Sequence, residues 1–315
     1  MRLIFFGTSE VAAAHLAAIK ERSAHEILAL VTKTDKPQGR GQKITPPPAK
    51  AAALKLGIDT ILQPKTQLND PEFLKTMQGF MPFLAISVDY GRIFPAELLA
   101  IPEEGFLNVH FSLLPRLRGP SPVEGAILCN ETRTGVTTFW IDEGMDSGRI
   151  FLQEPADIGP EETAPELQQR LNDLGIKLLL SSLEKINNKE ITKTPQDHSK
   201  ATYSKKILKE DGRILWKESA DIIVRKIRAY QQWPVCFCVL GGKNIKILKA
   251  QALDNDQSKG SLGQITDIVK GKGFKVKCGS GSIVILEVKP EGKKAMPAWN
   301  FIQGLKQDIL RENIK

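Results

Sequence analysis

The sequence predicts an α/β chain in two parts: a mostly parallel sheet with helices on both faces, followed by a small antiparallel barrel. Three observations lead there. The chain has 315 residues, about twice the usual size of one domain. Its first half alternates short β-type runs with helical segments, whereas its last third offers β-type runs separated by glycine turns. The net charge of +8 is also unevenly held: residues 1–200 carry 22 Lys+Arg against 25 Asp+Glu, and residues 201–315 carry 22 against 11.

Leu3 to Phe6 is the first strand, turning at Gly7-Thr8-Ser9 into an Ala-rich helix from Val11 to Ile19. That turn holds one glycine where a dinucleotide fingerprint needs three, which argues against a nucleotide cofactor there. Ile27 to Val31 is the second strand, and Thr32 to Lys43 reads as a polar loop hinged at Gly39 and Gly41. Pro46-Pro47-Pro48 opens a helix to Leu56, with Gly57 placed to end it. Phe83 to Val88 and Phe106 to His110 read as buried strands with a helix near Ala96 to Ala100 between them, and Gly135 to Ile141 closes the series. Strand, helix, strand at this spacing implies right-handed crossovers, hence a Rossmann-like sheet whose ligands lie beyond the carboxyl ends of its strands.

A helix from Thr163 to Ile186 carries an apolar stripe of Leu167, Leu171, Leu174, Leu178 and Leu179. The polar stretch after it reads as a linker, giving parts at 1–189, 190–205 and 206–315. Ser219 suits the N-cap of a helix turning Ile222, Ile223 and Ile227 inward. The runs Val235 to Leu240, Ile245 to Leu248, Phe274 to Cys278 and Ile283 to Val288 then fit an OB-like barrel, and Met296-Pro297 opens a last helix to Leu310.

Composition excludes several classes. No apolar run approaches the roughly 18 residues of a membrane span, and the apolar start is too short for a signal segment, so a cytoplasmic chain is expected. Cys129, Cys236, Cys238 and Cys278 are too few and too irregular for a disulfide framework or a zinc site; buried free thiols are the expectation, with no metal and a monomeric chain. The basic last third fits a polyanion-binding module.

The chemistry collects after two strands. Asn108 and His110 are two apart and share one face at the end of their strand. Ser112-Leu113-Leu114-Pro115 and Arg118-Gly119 follow, and the acidic loop Asp142 to Gly148 brings Asp146-Ser147-Gly148 after another strand. With Gly135-Val136-Thr137, this order and spacing resembles the formyltransferases that use 10-formyltetrahydrofolate. The resemblance runs from Phe6-Gly7-Thr8 through Asp35 to Gly41, Tyr203-Ser204-Lys205-Lys206 and Trp233-Pro234 to Gly292-Lys293-Lys294-Ala295-Met296, about residues 1–305.

The resemblance implies Asn108, His110 and Asp146 as catalytic residues. An amine attacking a formyl carbon needs oxyanion donors and a proton carrier, and Asn108 and His110 supply those chemistries, with Asp146 orienting the imidazole. It implies a folate slot against Ser112, Leu113, Leu114 and Pro115, the turn of Val88, Tyr90 and Gly91, and Asp142, with backbone groups reading the pterin edge. Phe111 stands where the family commonly has a small residue. Initiator methionyl-tRNA is the implied partner, met by Arg40 and Lys43 on the glycine-hinged loop and by Lys205, Lys206, Lys243, Lys246, Lys293 and Lys294 in the basic third. Formylation of an amino sugar nucleotide, or a tRNA-binding module without activity, are the competing expectations; the first leaves the basic third unexplained, and the second the intact Asn, His and Asp.

Overall fold

The computed structural model describes the chain except residues 39–40, 66, 257, 306–312 and 315. Two compact units emerge, one of Met1–Pro122, Arg133–Asp157 and Gln168–Ser204, the other of Val123–Thr132, Ile158–Leu167 and Lys205–Lys315.

The first unit opens with β1 (Arg2–Gly7), α1 (Glu10–Arg22), β2 (Glu26–Val31), β3 (Lys36–Gln38), β4 (Lys43–Thr45), α2 (Pro48–Lys55) and β5 (Ile61–Leu62). It continues with α3 (Pro71–Gly79), β6 (Leu84–Val88), α4 (Ala96–Leu99) and β7 (Phe106–His110). Strands β8 (Arg133–Trp140) and β9 (Ile150–Asp157) follow; α5 (Pro122–Leu128) belongs to the second unit from Val123 on, and α6 (Ala164–Asn187) to the first from Gln168 on. The sheet order is β5-β2-β1-β6-β7-β8-β9. The pairs from β5 to β7 are parallel, whereas β7–β8 and β8–β9 are antiparallel. The mostly parallel expectation stands, with an antiparallel edge whose last strand carries no strong β-type signal (IFLQEPAD).

The strands are buried because both faces are covered: Leu3, Ile4, Phe5 and Phe6 are all 0% exposed. Phe6 anchors one face, its ring centroid 5.2–5.4 Å from those of Tyr90, Phe94 and Phe106. Helix α1 starts where Ser9 Oγ accepts the Ala12 amide at 3.4 Å. The expected polar loop after β2 differs from expectation: β3 and β4 pair as a short antiparallel ribbon. Helix α3, which the sequence reading omits, is capped by Asp70, whose Oδ1 accepts the Phe73 amide at 3.0 Å.

His15 lies on the buried face of α1, fully shielded, with Nδ1 2.9 Å from the Val11 carbonyl oxygen. Burial lowers its pKa from 6.5 to about 4. The folded state keeps this imidazole neutral while the unfolded chain protonates it, so stability is unaffected above the ordinary value and falls as pH drops from there through the folded value. The expected loss is roughly 2 kcal/mol by about pH 5. Urea midpoints at pH 7.5 and pH 5 should therefore differ less in His15→Gln than in the parent; an equal difference would contradict the assignment.

The second unit adds α7 (Ala220–Ala229), β10 (Phe237–Leu240), β11 (Lys243–Leu253), β12 (Ile265–Val269), β13 (Gly273–Lys277), β14 (Ser282–Pro290), β15 (Met296–Pro297) and α8 (Ala298–Gln303). Its antiparallel sheet runs β10-β11-β14-β13-β12, with β15 against β14, consistent with the small barrel. Register shifts near Lys249 bend β11, as bulges do. Strand β12 is an addition to the expected set, and α8 ends at Gln303; residues 306–310, expected to be helical, lie outside the described residues. Ser219 caps α7 as expected, its Oγ accepting the Ile222 amide at 3.4 Å. Ile223 and Ile227 face inward, but Ile222 is 38% exposed, a correction that the helical period explains: it sits beside the apolar stripe. Cys236, Cys238 and Cys278 are buried and Cys129 is exposed, so the expectation of buried thiols fails for one of four. Among the described residues no helix is long and apolar enough to cross a membrane.

Candidate active site

Strand β7 delivers Asn108 and His110 to one face, Asn108 half-buried and His110 6% exposed. His110 Nε2 lies 2.9 Å from the Leu117 carbonyl oxygen. A carbonyl only accepts, so Nε2 carries the proton and Nδ1 is the nitrogen left for chemistry. Nδ1 points at Asp146, 3.7 Å from Oδ2. That is longer than a direct hydrogen bond, with Oδ2 the carboxylate oxygen nearest the ring nitrogen.

Asp146 is held through the same oxygen that faces His110. Its Oδ2 accepts the Gly119 amide at 2.7 Å, and its backbone sits at φ 50, a conformation Asp tolerates better than most residues. Gly148 closes the loop beneath it; a Cβ there would collide with the Trp140 carbonyl. The sequence-predicted His110 and Asp146 are thus brought together, with Asn108 on the face of His110.

Phe111 does not enter the site. It faces the other side of β7, where its ring centroid is 6.1 Å from that of His15 and it packs against Gly175 of α6.

The turn after β7 is a polar scaffold more than a set of binding side chains. Ser112 is fully buried and its Oγ donates to the Arg116 carbonyl at 2.6 Å. Thr137 Oγ1 donates to the Ser112 carbonyl at 2.6 Å and receives the Leu114 amide at 3.2 Å. Gln153 Nε2 donates to the Leu114 carbonyl at 2.8 Å. Leu113 packs on Gly135, Leu114 is 3% exposed, and Pro115 follows through a cis peptide. Of the other folate candidates, Val88 and Tyr90 bury their side chains in the core, so those two side chains are core groups and only their backbones are available to a ligand. Gly91 is exposed, and Asp142 Oδ1 accepts Gly144 N at 3.1 Å and Ser147 Oγ at 2.7 Å.

Next to the β2 and β6 ends, Lys33, Lys36, Lys65 and Arg92 line an open cleft of about 480 Å³. Its one acid, Asp35, is neutralised: both carboxylate oxygens lie 2.9 Å from Lys50 Nζ, and hydrogen bonds from Gln63 and Lys50 hold the carboxyl below its ordinary range. Lys65 and Arg92 went unnoticed in the sequence, because nothing local links them to the Lys33–Lys36 stretch. Lys43 is exposed on β4; Arg40 lies outside the described residues. In the second unit Lys205, Lys206, Lys243, Lys246, Lys293 and Lys294 are all exposed. Lys246 stands between Phe237 and Lys289 in the ladder, which adds Lys289, exposed, to the cationic row.

Comparison with known proteins sets this geometry in a family. The formyl transferase family model matches residues 1–183, and that of the formyl transferase C-terminal domain matches residues 206–306. A methionyl-tRNA formyltransferase of Synechococcus sp. (strain JA-2-3B'a(2-13)) is 39% identical over 310 residues, covering 96% of this chain and 95% of that protein. The chain belongs to the methionyl-tRNA formyltransferase family. The family's protein of the same description from Moorella thermoacetica is 38% identical, with 96% of each chain covered. Among solved structures, an N-formyltransferase from Helicobacter canadensis in complex with folinic acid and dTDP-3-aminofucose superposes with a TM-score of 0.63 at 21% identity, over 90% of this chain and 98% of that one. HypX from Aquifex aeolicus in complex with tetrahydrofolic acid gives 0.64 at 17% identity, over 98% and 48%. These two likenesses concern the fold.

The family's co-substrate implies a flat heterocycle, and the residues here fit one. Ile93 and Met145, following β6 and β8, are 83% and 58% exposed, apolar groups standing at the ligand-binding edge of the sheet.

Proposed function

We propose that the chain transfers the formyl group of 10-formyltetrahydrofolate to the free amino group of initiator methionyl-tRNA, acting in the cytoplasm as a monomer. The observation that carries the chemistry is the orientation of His110, with Nε2 tied to the Leu117 carbonyl and Nδ1 facing Asp146 at 3.7 Å. 10-Formyltetrahydrofolate supplies the formyl carbon on which the amine acts. Asn108 donates its side-chain amide to the charge that develops on the formyl oxygen. His110 takes the amine proton at Nδ1, directly or through one water, and returns it toward the departing nitrogen. Asp146 stabilises the imidazolium formed in between and fixes the ring plane. Gly91 and the backbone of Val88 and Tyr90, with Leu113, Leu114, Pro115 and Asp142, border the folate, Ser112 supporting them from beneath.

The choice of acceptor rests on relatives matched end to end and on the basic second unit, a combination that an amino sugar substrate does not call for. Lys205, Lys206, Lys293 and Lys294, with Lys43 and Arg40, attract the phosphate backbone. Purified protein incubated with 10-formyltetrahydrofolate and charged initiator tRNA should yield formylmethionyl-tRNA; formylation of an amino sugar nucleotide with the tRNA untouched would overturn the reading. Binding of the tRNA should weaken roughly a hundredfold between about 50 and 200 mM salt if some four phosphates are contacted. Substituting Lys293 and Lys294 by Ala should flatten that slope.

A further inference from the structure

Three consecutive residues stand between the reacting groups. The Leu117 carbonyl receives His110 Nε2–H, and the Gly119 amide donates to Asp146 Oδ2 at 2.7 Å. Arg118, between them, is only 2% exposed and turns its guanidinium onto Gln196: Nε and Nη2 lie 3.1 and 2.7 Å from Gln196 Oε1. Gln196, itself 6% exposed, passes the contact on. Its Nε2 donates to the Asp146 carbonyl at 2.9 Å and to the Gly148 carbonyl at 2.7 Å.

The tripeptide is fastened again by residues 202–204. The Leu117 amide donates to Thr202 Oγ1 at 2.8 Å, the Arg118 amide to the Thr202 carbonyl at 2.9 Å, and the Ser204 amide to the Arg118 carbonyl at 2.7 Å. A guanidinium this buried that meets an amide oxygen is costly to desolvate. A scaffold needing only rigidity could use an apolar side chain of similar size. What the polar chain achieves is directional: it fixes the left-handed backbone of Asp146, and with it the distance from Oδ2 to His110 Nδ1.

We propose that Gln196, with Arg118 behind it, is a positioning residue for formyl transfer: it holds the Asp146 loop so that the carboxylate faces His110 Nδ1, through a segment the sequence presents as an interdomain linker. The proposal rests on His110 and Asp146 being the reacting pair.

Gln196→Glu tests it. The carboxylate still accepts from Arg118 but has no N–H for the Asp146 and Gly148 carbonyls, toward which it presents lone pairs. The expected result is kcat for formyl transfer lowered at least tenfold, KM for 10-formyltetrahydrofolate changed less than threefold, and a melting temperature within a few degrees of the parent. In ¹⁵N-labelled protein the His110 Nδ1 resonance should move while those of His15 and His25 stay. A folded variant with unchanged kcat overturns the proposal, whether or not the resonance moves. Should Gln196→Glu not fold, Gln196→Met removes the same two N–H donors without placing a charge at the Asp146 and Gly148 carbonyls, and should lower kcat and shift the His110 Nδ1 resonance; no change in either overturns the proposal equally. If the parent formylates no charged tRNA, the substrate reading fails by itself, and the His110 Nδ1 resonance in Gln196→Glu then decides the positioning role.

Discussion

Replacing His110 by Asn should lower kcat by about 10²–10⁴-fold while leaving the chain folded. The shorter side chain does not reach the Leu117 carbonyl, which His110 Nε2 now satisfies at 2.9 Å, so one hydrogen bond is given up. It loses the edge contact with Phe139, whose ring centroid is 6.3 Å away, and opens a small cavity. What it lacks altogether is a basic nitrogen facing Asp146. The amine proton then has no carrier, and the carboxylate has no cation to stabilise. Single-turnover measurement of formylmethionyl-tRNA with saturating folate, alongside a urea unfolding curve, separates chemistry from stability. Turnover within about threefold of the parent would remove His110 from proton transfer. Because the two residues act as one unit, adding Asp146→Asn to His110→Asn should slow the reaction little further.

Much of this pair is legible in the sequence, and the reason is geometric. Asn108 and His110 are two apart on a strand, so the period of the pleat alone puts them on one face. Asp146 requires more, since its approach to His110 depends on the antiparallel return of β8, and the resemblance carried it. Gln196 and Thr202 were out of reach. They contact residues 48–87 positions away in sequence, and their surroundings are so poor in large apolar side chains that polarity reads as a tether. Yet Gln196 and Ser204 are 6% and 8% exposed, because polar groups that pair with one another can be buried without an apolar signature. Tyr90, in the turn expected to meet the folate through backbone groups, packs its ring in the core against Phe6 and Phe94, which leaves its backbone for that contact.

Gly119 carries the second large effect, this one on stability as well as rate. Its φ is +107, a region closed to residues with a Cβ, and the added Cβ would stand 2.7 Å from the Ser204 carbonyl oxygen and 3.1 Å from Ser204 Oγ. Gly119→Ala should therefore cost about 1–3 kcal/mol in backbone strain, with the clash against Ser204 adding to it. Gly57 provides the comparison: its φ is +69 but nothing lies within 4 Å of its missing Cβ, so Gly57→Ala should cost only about 1 kcal/mol. The two variants also part in function. Relief of the clash moves the Gly119 amide off Asp146 Oδ2, which it now holds at 2.7 Å, and the carboxylate turns away from His110. Gly119→Ala should lose at least tenfold in kcat under conditions where it remains folded, and Gly57→Ala should keep the parental rate. Equal losses of stability in the two variants, by urea unfolding, would show that Ser204 gives way without resistance, and parental turnover in Gly119→Ala would show that Asp146 does not depend on that amide for its position.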